Sequence, residues 1–192
     1  SGEAFVCYAI ELSGWGGRNF ADGNDATDSI NGNCRVIPVE VFETRFPLQC
    51  ESYIMVEDSG GAGRHRGGLS TQRTLKSLNT EITGSQMSDR HHNRAWGLNG
   101  GGSGGVAGTW YMAANTVEWR TIDDAFDKVS PSKWSNVTIA PGDRIRFQTP
   151  GGGGWGNPAE RSRAKVAEDL AEGYISAKTA REDYGLEAAG DD

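Results

Sequence analysis

The sequence predicts an α+β protein, with a β-rich body, glycine-rich turns and a C-terminal helical hairpin. Three observations carry this reading. Short apolar or alternating runs recur between residues 4 and 147, bounded by Gly, Asn, Asp and Pro, as strands and their turns are. The 28 glycines in 192 residues are about twice ordinary usage and gather in clusters. After Pro158 the apolar spacing changes from period two to helical period. Residues 1–157 are therefore expected to form the β-rich body and 158–187 the helical segment, with 188–192 a flexible tail.

Taken in order, Ala4 to Leu12 is a dense apolar run suited to a buried strand that ends at Gly14-Trp15-Gly16. Residues 20–33 are rich in Asp, Asn, Ser and Gly and read as a polar loop. Val36 to Phe42 alternates around Pro38, which places an edge strand or a strand start there. Leu48 to Val56, Leu69 to Leu75 and Glu81-Ile82-Thr83 supply further strands, and Gly108 to Val117 another. Val137 to Ile139 and Ile145 to Phe147, joined by Pro141-Gly142-Asp143, read as a hairpin. Beyond it, Ala164, Ala167, Leu170 and Ala171 share one helical face. Pro158 suits the first turn of that segment and Gly173 the residue past its end. Ser176 caps a second short helix running towards Tyr184-Gly185.

The glycine clusters are not linker. In Thr149-Pro150-Gly151-Gly152-Gly153-Gly154-Trp155-Gly156 the run is pressed against a tryptophan, whereas flexible linkers mix Gly with Ser and avoid large aromatics. An ordered backbone in conformations that only Gly tolerates is expected. Gly151, Gly153 and Gly156 fit Gly-x-Gly-x-x-Gly, but no parallel strand follows the helix, so the crossover unit of a dinucleotide site is absent. Asp22 to Asp28 lacks the sixth-position glycine and the twelfth-position carboxylate of a calcium loop and reads as a solvated turn.

A net charge of −7 argues against nucleic acid or an anionic membrane as the main partner. No apolar stretch reaches the ~18 residues of a spanning helix, and no basic region precedes an apolar core near Ser1, so a cytoplasmic location is expected. Cys7, Cys34 and Cys50 are odd in number and widely spaced, which suits reduced, mostly buried thiols.

Two charged clusters are candidates for contact with substrate or partner. Arg64-His65-Arg66 stands between glycine pairs, where guanidinium groups and the backbone amides of Gly14, Gly60, Gly61, Gly151, Gly152 and Gly153 can hold an anion. Equally, Asp58 and neighbouring acids can pair with these arginines and staple a turn. Arg90, His91 and His92 pose the same choice between a site rim and an interface. The adjacent histidines point to opposite faces of a strand, so they do not share a metal, and no metal site is expected in this chain.

The serial order of motifs is more specific than any of them alone. Gly14-Trp15-Gly16, Pro38-Val39-Glu40-Val41-Phe42-Glu43 with Phe46-Pro47-Leu48, and Asp58 through Leu69 come first. Trp96-Gly97-Leu98, Ser132-Lys133, Pro141-Gly142-Asp143, Thr149 through Gly156 and Ala180 through Gly185 follow. In this order and spacing the chain resembles the C-terminal part of the hydantoinase B/oxoprolinase family, which includes N-methylhydantoinase, 5-oxoprolinase and the acetone and acetophenone carboxylases. The chain departs from the family pattern at Ala9 and at Leu12-Ser13, where relatives carry a Glu and a glycine run, so the resemblance implies that any role of that Glu is either lost here or moved to Glu11. The resemblance implies a subunit of an ATP-dependent heteromeric enzyme, inactive alone, whose small-molecule substrate is phosphorylated before water opens a cyclic amide. A ketone carboxylase or a non-catalytic structural subunit is the alternative. It further implies that no cofactor binds to this chain. ATP and Mg would sit on a hydantoinase A-like subunit, and a divalent metal in the N-terminal part of a hydantoinase B-like partner. Ser1 fits a separately encoded small subunit or a fragment of a longer B polypeptide, and both readings stand.

Overall fold

The computed structural model describes residues 4–28, 32 and 34–186, so the expected tail at 188–192 and part of the polar loop lie outside the described residues. The elements run α1 (Val39–Arg45), β1 (Leu48–Met55), β2 (Thr71–Ser77), β3 (Ile82–Met87), β4 (Gly108–Met112) and β5 (Arg120–Thr121). They continue with α2 (Ile122–Phe126), β6 (Lys133–Ile139), β7 (Arg144–Gln148), α3 (Arg163–Ala171) and α4 (Ala177–Glu182). A five-stranded antiparallel sheet has the order β1-β2-β7-β4-β5, and β3 pairs with β6 in a second, two-stranded sheet.

The core lies between these layers. Leu48, Leu75 and Ile145 from the large sheet meet Trp134, Val137 and Ile139 of β6, closed by Phe42 of α1 and Ile122 of α2. Val137 and Ile139 face the core two residues apart along β6, as the two-residue period of a strand requires, and the irregularity in pairing between Gly84 and Gln86 sets Trp134 three residues before Val137. The α+β architecture is thus the one expected. Among the described residues no helix is long and apolar enough to cross a membrane.

Three expectations are corrected. Residues 4–12 form no strand, and Val6 and Tyr8 are 89% and 79% exposed. Phe5 packs on Phe46 and Cys7 on the core, and the segment is tied down near its end, where Glu11 pairs with Arg73 and the Leu12 carbonyl accepts from the hydroxyls of Thr71 and Thr149, both at 2.7 Å. Val39 onward is helical: Pro38 occupies the N-cap, Glu40 sits in the first turn, and Phe42 stacks on Phe46 one turn later at 5.3 Å. The third concerns β6 and β7, which do not pair. Asp143 in the turn between them accepts from Tyr111 Oη at 2.7 Å and the Ala114 amide at 2.9 Å, and Gly142 N–H donates to the Ser77 carbonyl at 2.8 Å. Those bonds hand the chain from the small sheet to the large one. Elements β5 and α2 have no counterpart in the sequence reading. The cysteines form no disulfide, yet none is fully buried and Cys34 is exposed.

The C-terminal helices are present, but Pro158 opens a separate 3-10 turn (Pro158–Glu160) before α3, and Ala164, Ala167, Leu170 and Ala171 are exposed while Val166 and Asp169 face inward. Ser162 accepts from the Lys165 amide, Ser176 accepts from the Thr179 amide at 3.1 Å, and Gly173 sits past the end of α3 at φ +70°. Val166, Ile175, Ala180 and Tyr184 make a second small core against Ala62. Ser176→Ala is expected to cost about 1 kcal/mol in urea unfolding.

Candidate functional site

The glycine clusters converge. Residues 150–156 run through the centre, flanked by 14–17, 59–68 and 97–105, and the four segments exchange backbone hydrogen bonds directly. Gly61 N–H donates to the Gly152 carbonyl at 2.8 Å and Gly152 N–H to that of Gly68 at 2.9 Å. Gly102 N–H reaches Ala62 at 2.6 Å and Gly17 N–H reaches Gly153 at 2.8 Å. Gly14, Gly60, Gly61, Gly151, Gly152 and Gly153 are therefore brought together. The reason for glycine differs from the one expected. Within the run only Gly156 has a positive φ, at +77°, whereas a Cβ at Gly61 would overlap the Gly102 carbonyl and one at Gly152 the Trp15 carbonyl. Close backbone approach, not left-handed backbone, makes the run glycine.

Arg64, His65 and Arg66 lie on the rim of this glycine bundle, joined to it by reciprocal backbone bonds between His65 and Trp155 at 2.9 and 3.0 Å. Their side chains diverge. Arg64 is exposed and lies 3.9 Å from Glu160. His65 Nδ1 lies 3.8 Å from Asp22, and its ring packs on Trp155 with centroids 5.9 Å apart. Arg66 is 3% exposed. Its guanidinium meets Asp25 at 3.0 Å and Asp169 at 3.5 Å and lies over the Tyr174 ring. Asp58 takes no part, accepting instead from the Ser176 amide at 2.8 Å.

The sequence reading missed the centre of this network. Arg161, its side chain 1% exposed, bonds Asp22 at 2.7 and 3.0 Å and Asp169 at 2.8 and 3.0 Å. Lys165 reaches Asp22 at 3.3 Å. Asp22 and Asp25 also accept from the amides of Arg66 and Leu69, at 2.9 and 2.6 Å, so the polar loop is tied down at these points rather than solvated. Two guanidiniums and one ammonium thus face three carboxylates, and the charge is balanced inside the chain. Burial lowers the affinity of Arg66 for its proton, but the hydrogen bond and charge of Asp25, with Asp169 and Asp22, raise its pKa overall. Burial likewise opposes ionisation of Asp22, yet Arg161, Lys165 and the Arg66 amide together hold its pKa down to about 2.

Arg90, His91 and His92 form a separate place. Among the described residues no hydrogen bond or ion pair joins them to Arg64, His65 or Arg66. Arg90 has φ +64°, lies over the Trp96 ring at 5.6 Å and donates to the Arg94 carbonyl. His91 Nε2 is 2.8 Å from Ser88 Oγ, and burial, reinforced by His92, lowers its pKa, which favours the neutral ring. His92 is exposed. No group of three or more His, Cys, Asp or Glu among the described residues is placed to hold a metal ion. Glu11 pairs with Arg73, and burial raises its pKa despite that partner.

Known proteins share both the sequence and the fold. Over 187 residues the chain is 32% identical to the B subunit of a putative D-/L-hydantoinase from Pseudomonas sp. strain NS671, covering 97% of this chain and 30% of that one. It is 31% identical over 156 residues to the beta subunit of caprolactamase from Pseudomonas jessenii, covering 77% of this chain and 24% of that one. The chain therefore spans less than a third of the length of these relatives. The nucleotide-free structure of acetone carboxylase has the same fold over 92% of this chain and 26% of its own, with TM-score 0.75 and 22% identity. Residues 1–158 match the model of the family described as hydantoinase B/oxoprolinase, and the chain belongs to that family.

Proposed function

We propose that this chain is the C-terminal part of the B component of an ATP-dependent heteromeric enzyme that hydrolyses a cyclic amide. The observation that carries the reading is the hydantoinase B match over residues 1–158, together with relatives named as the B subunit of a hydantoinase and the beta subunit of caprolactamase. The geometry suits a shaping part in that enzyme. Arg66 and Arg161 are neutralised by Asp22, Asp25 and Asp169, and the amides of Gly14, Gly61, Gly151 and Gly152 donate to backbone carbonyls of the bundle, so these groups shape the lobe and leave the reacting atoms to other parts of the assembly. A hydantoinase A-like subunit would supply ATP and Mg, and the N-terminal part of the B component a divalent metal. Arg64 on the rim of the glycine bundle, and Arg90 and His92 at their separate place, are exposed and are the side chains available to a partner or to substrate. A cytoplasmic assembly suits an ATP-consuming enzyme of reduced cysteines.

Reconstitution tests this. The chain is combined with an A-like subunit and the remaining B polypeptide and followed by native mass spectrometry and by ATP turnover with hydantoin or lactam. The expected result is an assembled complex whose ATP hydrolysis and ring opening both need this chain. Bicarbonate consumption with a ketone substrate would replace the hydrolase by a carboxylase. A chain that stays alone and folded beside both partners would overturn the reading.

A further inference from the structure

The large sheet has a second face, turned away from the core, and it carries a pocket apart from the glycine bundle. Thr74, Arg146 and Trp110 are aligned across β2, β7 and β4, with Gln72, Gln148 and Gly108 aligned one pleat along. Partners in such a row share one face of the sheet. Gln72, Trp110, Trp119, Arg146 and Gln148 line a cavity of about 210 Å3 that opens to solvent.

Arg146 is held in place and, among the described residues, has no counter-charge. Its guanidinium stacks on the Trp119 ring at 3.9 Å, and its Nε donates to Thr74 Oγ1 at 3.2 Å. Neighbouring strand arginines differ: Arg73 pairs with Glu11, and Arg144 with Glu51 at 2.7 Å. No carboxylate among the described residues pairs with Arg146, and burial alone lowers its pKa. The Gln72 amide donates to Gln148 Oε1 at 2.9 Å, and Gln148 donates to the Val106 carbonyl at 3.2 Å, which fixes the polar floor. A guanidinium fixed by stacking presents its outer N–H edge at little entropic cost, and that fork matches the two oxygens of a carboxylate. One cation in the lining suits one negative charge, and two indole walls suit an apolar or aromatic body beside it.

We propose that this pocket binds a carboxylate, its two oxygens on the Nη atoms of Arg146 and its apolar body between Trp110 and Trp119. The carboxylate is either a free organic acid or an acidic side chain of the polypeptide that completes the enzyme. Titration of the chain with benzoate and with its neutral counterpart benzamide, read by calorimetry, tests the chemistry. Benzoate is expected to saturate the site and to bind at least about tenfold more tightly than benzamide. Arg146→Gln is expected to erase that preference, Arg146→Lys to retain part of it, and Arg120→Gln, on the exposed pair with Asp124, to leave it unchanged. Equal binding of the two ligands, no saturable binding, or benzoate affinity unaffected in a folded Arg146→Gln chain would overturn the proposal.

Hydroxyl-radical oxidation of Trp110 and Trp119 in the purified assembly separates the sources. Protection without added benzoate, lost in the Arg146→Gln assembly, identifies a partner's acidic side chain. Oxidation that benzoate suppresses identifies a free acid. Tryptophans oxidised equally in all conditions would count against either source.

Discussion

Gly152→Ala is expected to leave no folded chain, or one destabilised by about 4 kcal/mol or more, a size reserved for a few mechanisms of which backbone overlap is one. The added methyl group would occupy the position of the Trp15 carbonyl. Neither backbone has room to yield: Trp15 N–H is bonded to Asn24 at 3.0 Å, its carbonyl accepts from Gly68 at 2.7 Å, and Gly152 N–H is bonded to Gly68 at 2.9 Å. Two controls separate this from a general dislike of losing glycine. At Gly16 a Cβ meets only the Gly153 carbonyl, at 3.7 Å, an ordinary contact, so Gly16→Ala is expected to change stability by less than about 0.5 kcal/mol. At Gly173 nothing lies within 4 Å but φ is +70°, so Gly173→Ala is expected to cost about 1 kcal/mol from the left-handed backbone alone. Urea unfolding monitored by tryptophan emission orders the three. If Gly152→Ala unfolds at the same urea concentration as Gly173→Ala, the segments are not interlocked as closely as the geometry states.

The glycines show where sequence reading succeeds and where it stops. Their clustering is legible, because a tryptophan beside Gly151 to Gly154 is incompatible with linker. Their purpose is not, since close approach involves a segment more than a hundred residues away that no local pattern names. The same division runs through the fold. Gly173 and Ser176 mark the end of α3 and the start of α4, so both helices are readable, whereas the start read at Pro158 belongs to a separate turn and α3 begins at Arg163, capped by Ser162. β6 and β7 are readable as strands, but their separation depends on Asp143 holding Tyr111 and Ala114, contacts made across the sheet. α1 is hidden by valines that alternate like a strand, with Phe42 and Phe46 the helical signal beneath them. Residues 4–12 illustrate the reverse error: apolar density gives no information about what covers it. Of the charged residues, Arg64 to Arg66 are visible through their glycine flanks. Asp22 and Asp25 read as loop because their partners lie as far as 143 positions away, at Lys165.

That distant pairing yields the second large effect. Arg161→Met is expected to cost about 3–5 kcal/mol, because it leaves Asp22 and Asp169 without their shared counter-charge, and Asp169 is buried. Arg120→Ala, which removes an exposed pair with Asp124, is expected to cost less than about 0.5 kcal/mol. The pH dependence gives an independent reading. Asp22 has a folded pKa of about 2 against an ordinary 3.8, so folding releases a proton as pH falls through this range and the stability it supplies above about pH 4 is lost towards pH 2. Asp169 has the opposite sign: burial raises its pKa against the pull of Arg161 and Arg66, so its protonation on acidification relieves a cost of the folded state. The two contributions therefore oppose each other. Asp22→Asn is expected to lower stability at neutral pH and to converge with the unaltered chain near pH 2, whereas Asp169→Asn is expected to steepen the loss on acidification. Urea midpoints measured from neutral to acid pH for the three chains decide it. Parallel profiles for Asp22→Asn and the unaltered chain would mean that Arg161 does not hold Asp22 ionised, and that the network balances its charge by some other arrangement.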